Sequence, residues 1–146
     1  MMKRLFFLLL TIGFIATLEA CKNEDKETEA KLNQEIMKIH DEVMPKMGDL
    51  NRMKRQLSAY KDEVPDDNAA MKDSLINAIL LLAKTEDNMN DWMANYKYPN
   101  PDLKHDEMLK YLKGQQDTIK QINNDVFMTL AIGNGLLKNA PQSARE

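Results

Sequence analysis

Three long stretches of the chain repeat apolar residues at intervals of three and four. The first stripe comprises Leu32, Ile36, Ile39, Val43, Met47, Leu50 and Leu57. The second comprises Met71, Leu75, Ala78, Leu82, Met89, Met93 and Tyr96. The third comprises Met108, Leu112, Ile119, Val126 and Leu130, with Ile122 at its edge. At about 100° per residue, each set falls on one face of a helix. The pattern predicts helices over residues 31–62, 67–97 and 102–138, and no strand-like alternation accompanies them.

Short proline-bearing segments separate the three stripes and predict turns. In VPDDN, residues 64–68, Asp66 and Asp67 are candidate N-caps for the second helix. In YPNPD, residues 98–102, Asn100 is a candidate cap and the following proline suits a first helical position. Short turns between long helices make sequential helices antiparallel neighbours.

Pro45 lies within the first stripe, where it removes the hydrogen bond to the Asp41 carbonyl. The apolar phase continues across it, which indicates a kink rather than a helix end. The expected fold is therefore all-α, an elongated up-down-up three-helix bundle with a kink near Pro45.

The N-terminus has the pattern of a bacterial export signal. Lys3 and Arg4 precede an apolar run from Leu5 to Leu18, which is shorter than the roughly 20 residues that span a bilayer. We expect residues 1–20 to be a cleaved signal peptide. The run ends in Leu18-Glu19-Ala20-Cys21 and contains the only cysteine of the chain.

This ending resembles the lipobox of bacterial lipoproteins, which implies that Cys21 becomes the first mature residue and carries a diacylglycerol thioether. The alternative, a buried or reactive free thiol, requires Cys21 to lie inside a folded domain. The strongly polar KNEDKETEAK that follows argues against that alternative. The resemblance implies a lipid anchor in the envelope of a Gram-negative bacterium, at the outer membrane. KNEDK, residues 22–26, resembles a surface-export tract and implies exposure at the cell surface.

The 146 residues, with a formal net charge of −3, suffice for one helical core. We expect a lipidated, flexible tether over residues 21–30, the bundle over residues 31–139 and a flexible C-terminus over residues 140–146. No basic block interleaved with aromatic residues occurs, which argues against a nucleic-acid partner.

The two histidines are the residues that suggest a possible metal-binding site. Both stand in the phrase His-Asp-Glu, at residues 40–42 and 105–107. Pairing residues across the predicted turns places His40 level with Met89, and Met93 within two residues of the level of Met108. The six candidate ligands of a soft ion, Cu(I) or Ag(I), are His40, Met44, Met89, Met93, Met108 and His105. The alternative is that methionine fills the core and that the histidines are structural.

Catalysis is not expected, because the few serines stand in no nucleophile motif and a narrow rod of helices offers little cavity. In the second helix Leu80 points almost opposite the apolar stripe, within the all-apolar INAILLLA. The sequence therefore predicts a non-enzymatic module that binds an envelope protein or a second copy through helix 67–97, or that has a structural role. The chain also resembles small envelope lipoproteins labelled "viral A-type inclusion protein", through IHDEVMPKM (39–47) and DNMNDWM (87–93). That label implies no mechanism.

Overall fold

The structure, a computed structural model, describes the backbone of residues 2–144 and the side chains of residues 25–144. Three helices form the fold: α1 Met2–Glu63, α2 Ala69–Asn95 and α3 His105–Leu137. A short 3₁₀ turn, Gln142–Ala144, follows α3. Each helix packs against both of the others, and the described residues contain no strand. The predicted all-α, three-helix architecture is confirmed.

Side-chain contacts establish the up-down-up arrangement. Between α1 and α3 the contacting residue numbers rise together, as in a parallel pair; examples are His105 with Glu29, Gln116 with Glu35 and Ser143 with Glu63. Between α1 and α2 they run in opposite directions, since Asn33 contacts Tyr96 and Lys54 contacts Glu86. The central helix α2 therefore runs antiparallel to α1, while α3 returns alongside α1.

The three apolar stripes meet along the axis of the bundle. Buried members of the predicted stripes are Ile36, Val43, Leu50, Leu57, Leu75, Ala78, Leu82, Met89, Met108, Leu112, Ile119 and Val126. Full burial of a side chain of this size stabilises the fold by about 1.5–3 kcal/mol. Met93 was assigned to the core wrongly, because it is 37% exposed and Trp92 takes the buried position beside it. Ile122, expected at the core edge, is also buried.

Polar side chains near the two loops set where α2 and α3 begin. Asn68, one residue after the predicted caps, accepts a hydrogen bond from the Met71 N–H at 3.3 Å and starts α2. Asn100 does not cap α3, because its side chain accepts from the Asp102 N–H at 3.1 Å and forms a turn. The helix starts at His105, where the Glu107 side chain accepts from the Lys104 N–H at 3.1 Å.

At both ends of the described part, residues outside the predicted bundle contact the helices. Residues 25–30, expected in a flexible tether, continue α1, and Asp25 and Glu29 contact α3. Residues 140–144, expected to be flexible, include the buried Ala140 and Ala144 and pack against α1. Contacts with α3 and α1 explain the difference, since tertiary packing fixes segments that are polar or short.

Two further expectations concern α1. Pro45 lies inside this helix, and the kink at that position stays a prediction. The predicted signal peptide, residues 1–20, and Cys21 lie outside the described side chains. Within the described part of the chain, no helix has a stretch of the length and hydropathy that membrane crossing requires.

A polar clamp links α1 to α2 near the middle of the bundle. The Lys54 ammonium forms an ion pair with the Glu86 carboxylate, and the Asn51 amide donates to the same carboxylate at 2.7 Å. These hydrogen bonds hold the pKa of Glu86 below its usual value, because both stabilise the charged form. The clamp fixes the level of α2 against α1.

A glycine of α3 lies close to α1. A Cβ atom built on Gly133 would lie 2.6 Å from Cγ and 2.7 Å from Sδ of Met53, whose side chain is 6% exposed. A Cβ atom built on Gly135, two residues further along α3, would have nothing within 4 Å. Alanine substitution at the two glycines therefore distinguishes the effect of helix propensity on stability from the effect of packing against Met53.

We expect Gly133→Ala to lower the free energy of unfolding relative to Gly135→Ala by about 1–3 kcal/mol. Both changes remove the helix penalty of glycine, roughly 0.5–1 kcal/mol, but only the first overfills the site against Met53. Chemical denaturation of the two variants and the parent measures the difference. Equal stability of the two variants would contradict the close α1–α3 contact.

Candidate functional site

His105, the first residue of α3, is held by two carboxylates of α1. Its Nδ1 lies 2.7 Å from Oε1 of Glu29, and its Nε2 lies 3.3 Å from Oδ1 of Asp25. The hydrogen bond with Glu29 raises the pKa of His105; partial burial opposes this, and the charges of Asp25, Glu29 and Asp106 add to it. In the protonated imidazole both nitrogens donate, so this contact joins the start of α3 to α1.

His40 has different neighbours. Its Nδ1 lies 2.9 Å from the Asp41 carboxylate, and its ring centroid lies 5.7 Å from that of Trp92. Glu29, which holds His105, precedes His40 by eleven residues of α1, or about 16 Å of helix. The two histidines therefore occupy different levels of the bundle.

The four candidate methionines also differ in position and in burial. Met44 follows His40 by one turn of α1, and Met108 follows His105 by about one turn of α3. Met89 and Met108 are buried in the core, 0% and 2% exposed, whereas Met93 faces outward. Since the ligands of one ion must all lie within a few ångströms of it, the structure does not bring the six residues together as one site. No group of three or more His, Cys, Asp and Glu side chains in residues 25–144 is arranged to hold a metal ion.

The loop between α2 and α3 explains why the expected levels of α3 against α2 were wrong. Pairing across the predicted turn places Lys97 opposite Asp102. In the structure the Lys97 N–H donates to the Tyr111 hydroxyl at 2.7 Å, about nine residues further along the chain. Because α3 starts only at His105, the residues that face a given position of α2 come later in α3 than expected.

An aromatic cluster, missed by the sequence reasoning, lies at this level. The ring centroids of Trp92 and Tyr96 are 4.9 Å apart, and those of Tyr96 and Tyr111 are 6.2 Å apart. The Tyr96 hydroxyl donates to Oδ1 of Asn33 at 2.7 Å. Burial, together with Tyr111 and Tyr98, raises the pKa of Tyr96 to about 12. The spacing of Trp92 and Tyr96, one helical turn, was the sequence signal for this cluster.

An open groove of about 600 Å³ runs between α2 and α3 beside Trp92. Its α2 wall consists of Asn88, Asp91, Trp92 and Asn95, and its α3 wall of Gln115, Asp117, Thr118, Gln121, Ile122 and Asp125. Three carboxylates and four amides line the groove, and none of these ten residues is a lysine or arginine. The two buried side chains, Trp92 and Ile122, form its floor. The Trp92 indole N–H is buried without a hydrogen-bond acceptor in the described part of the chain.

An apolar surface continues from the groove toward the other end of the bundle. In residues 25–144 the exposed large apolar side chains all lie on α2 and α3; they are Ile76, Leu80, Met93, Phe127, Met128 and Ile132. On α2, Leu80 lies about two turns from the groove residue Asn88, and on α3, Met128 and Ile132 lie about one and two turns from the groove residue Asp125.

Leu80 lies on the same stripe of α2 as the groove residues Asn88 and Asp91, and Ile132 lies on the stripe of Gln121 and Asp125 in α3. We call the groove together with Leu80, Met128 and Ile132 the α2–α3 surface. Leu80 is 62% exposed, as its position opposite the stripe predicted.

The fold and these surfaces define a helical bundle with a polar groove and an adjoining apolar strip. The chain matches no protein-family model, no curated protein and no solved structure.

We expect Glu29→Gln to lower the pKa of His105 toward that of a free histidine, because the strongest partner of the imidazolium is removed. A pKa raised by folding contributes stability that is complete below pH about 6.5 and is lost as the pH rises through the folded value. The variant should therefore lose stability relative to the parent in acid and approach it in alkali. An NMR titration of the histidine Cε1 protons and denaturation at several pH values measure both effects.

The control is Glu27→Gln, which removes the same charge from an exposed position two residues away. An unchanged His105 titration in Glu29→Gln, or an equal change in both variants, would contradict the contact.

Proposed function

We propose that the protein is a lipid-anchored, non-enzymatic helical module of the Gram-negative envelope that binds another envelope protein through the α2–α3 surface. The observation that carries the proposal is the one-sided distribution of exposed apolar side chains. Within residues 25–144, large apolar side chains of α1 are buried or half-buried, while α2 and α3 leave six of theirs exposed.

Isolated apolar residues are common on protein surfaces, but an exposed apolar strip that adjoins a groove marks an interaction site. Leu80, Met128 and Ile132, which are 62%, 51% and 41% exposed, continue from the groove along α2 and α3. A stable protein interface buries at least about 1,000 Å² in total. The adjoining groove extends the apolar strip along the bundle, which provides a larger surface of mixed polarity, as protein interfaces have.

The resemblance of Leu18-Glu19-Ala20-Cys21 to a lipobox supports the anchor. Each buried CH₂ of an acyl chain contributes about 0.8 kcal/mol to membrane binding, so the two chains of a diacylglycerol hold a small domain stably. Three residues separate Cys21 from Asp25, which contacts the start of α3. The anchor would therefore attach beside His105 and the 96–104 loop, and α2–α3 surface residues such as Leu80 and Met128 would lie further from the membrane.

We expect Cys21→Ser to move the protein out of the membrane fraction when the full chain is produced in a Gram-negative host. Serine cannot form the thioether, so the diacylglycerol has no point of attachment. Fractionation and intact-mass spectrometry measure the location and the lipid mass. The control is Ser58→Ala, a substitution of a hydroxyl within α1 and away from the leader. A parent chain whose mass lacks a lipid would contradict the anchor.

We expect Leu80→Glu combined with Met128→Glu to abolish crosslinking of the full chain to its partner in intact cells, because two charges would be buried in the interface. A photoreactive side chain at position 77, exposed beside Leu80, supplies the crosslink, and mass spectrometry identifies the product.

Phe127→Glu is the matched control, since Phe127 is 50% exposed but lies on the side of α3 that faces Met53 of α1. The proposal expects this variant to crosslink like the parent. Crosslinking that survives the double substitution, or that the control abolishes equally, would contradict the assigned surface. A crosslink to a second copy of this chain would make the interface one between identical molecules.

A further inference from the structure

We propose that the groove between α2 and α3 binds an extended, basic segment of the partner protein, an inference that rests on the proposed function. The residues that carry it are Asp91, Asp117 and Asp125, the amides between them, and Trp92 in the floor.

The charge of the groove selects a cationic partner. Asp91 and Asp117 are exposed and on opposite walls, and Asp125 lies further along the α3 wall. Since no lysine or arginine lines the groove, its own residues leave these carboxylates without a cationic counterpart there. Lysine or arginine side chains of a partner would supply that counterpart, and the attraction would weaken with salt.

The amides of the groove suit a polypeptide backbone. Asn88, Asn95, Gln115 and Gln121 each carry a carbonyl acceptor and an NH₂ group with two donor hydrogens. The Asn95 amide donates to the Asp91 carbonyl and the Gln121 amide to the Asp125 carboxylate, both at 2.8 Å, which leaves each of them a second N–H. An extended peptide presents N–H and C=O groups at regular intervals, and it leaves them unpaired unless a neighbour provides partners. Side-chain amides of the groove can form hydrogen bonds with these backbone groups whatever the side chains of the peptide are.

The indole of Trp92 adds an independent observation. Its side chain is 7% exposed and lines the groove, yet its N–H has no acceptor in residues 25–144. A buried donor without an acceptor is unfavourable, so an incoming acceptor would recover free energy. Asp91 and Asn95, which line the groove together with Trp92, are exposed, and exposed side chains change rotamer within nanoseconds. A peptide carbonyl is an acceptor that would reach the indole once they turn aside.

The length of the groove fits a short extended segment. Its α3 wall runs from Gln115 to Asp125, about 15 Å of helix. At about 3.3 Å per residue, four or five extended residues cover this length. The hydroxyl groups of a sugar could also form hydrogen bonds in the groove. Neutral hydroxyls, however, form weaker interactions with the three carboxylates than ammonium or guanidinium groups do.

The test titrates the ¹⁵N-labelled full chain in zwitterionic micelles with the peptide acetyl-GKGKG-amide, and with acetyl-GEGEG-amide and maltose as alternatives. Trp92 is the only tryptophan, so the single indole ¹H–¹⁵N resonance reports on this side chain of the groove. We expect the lysine peptide to move this resonance downfield at low salt, as the N–H gains an acceptor. The glutamate peptide and maltose should leave it in place.

Asp91→Asn with Asp117→Asn should weaken binding of the lysine peptide about tenfold, as expected for the loss of two exposed ion pairs. Asp73→Asn with Asp87→Asn, which removes two exposed charges from α2 outside the groove, should leave the affinity unchanged. No resonance shift with the lysine peptide, an equal shift with the glutamate peptide, or a shift with maltose alone would overturn the proposal. The crosslinking experiment with Leu80 and Met128 uses no groove residue, so the failure of one proposal is distinguishable from the failure of the other.

Discussion

The bundle depends on the burial of one apolar stripe of α1 between two other helices. Ile36, Val43, Leu50 and Leu57 are each 0% exposed, although they lie on a helix whose other faces are strongly polar. A single neighbouring helix covers only part of such a stripe, so α2 and α3 must both pack against it. Close approach follows from this requirement. At Gly133 the α3 backbone comes so near Met53 that even a methyl group would overlap.

The polar contacts set the level of each helix once the apolar stripes have brought the helices together. Lys54 and Asn51 hold Glu86 in α2, and Glu29 holds His105 at the start of α3. Apolar packing alone tolerates sliding by a turn, whereas a directed ion pair does not. The aromatic cluster and the groove result from this fixed level, because Trp92 is thereby placed opposite residues 115–125 of α3. The proposed binding surface therefore relies on contacts that lie outside it.

The uneven distribution of apolar side chains links the fold to the proposed function. The apolar stripe of α1 is buried in the core, while α2 and α3 carry more apolar side chains than one shared core can cover. A folded domain gains nothing from exposed Leu80 or Met128 by itself, and a partner that covers them would gain their burial. A lipid anchor at Cys21 would keep such a surface close to the membrane and at high local concentration near envelope partners.

The sequence by itself determined the three helices, most of the core and the exposure of Leu80, because helical periodicity and burial are properties of local patterns. It also carried the lipobox resemblance at Cys21, which depends on adjacent residues alone. The tertiary structure decided what the helices bring together. Because the 96–104 loop is long, α3 begins only at His105. His40 and His105 therefore lie apart, and the proposed soft-metal ligands lie at different levels of the bundle. Loop length sets register, and the turn at Asn100 depends on one side-chain hydrogen bond that no periodic pattern reveals.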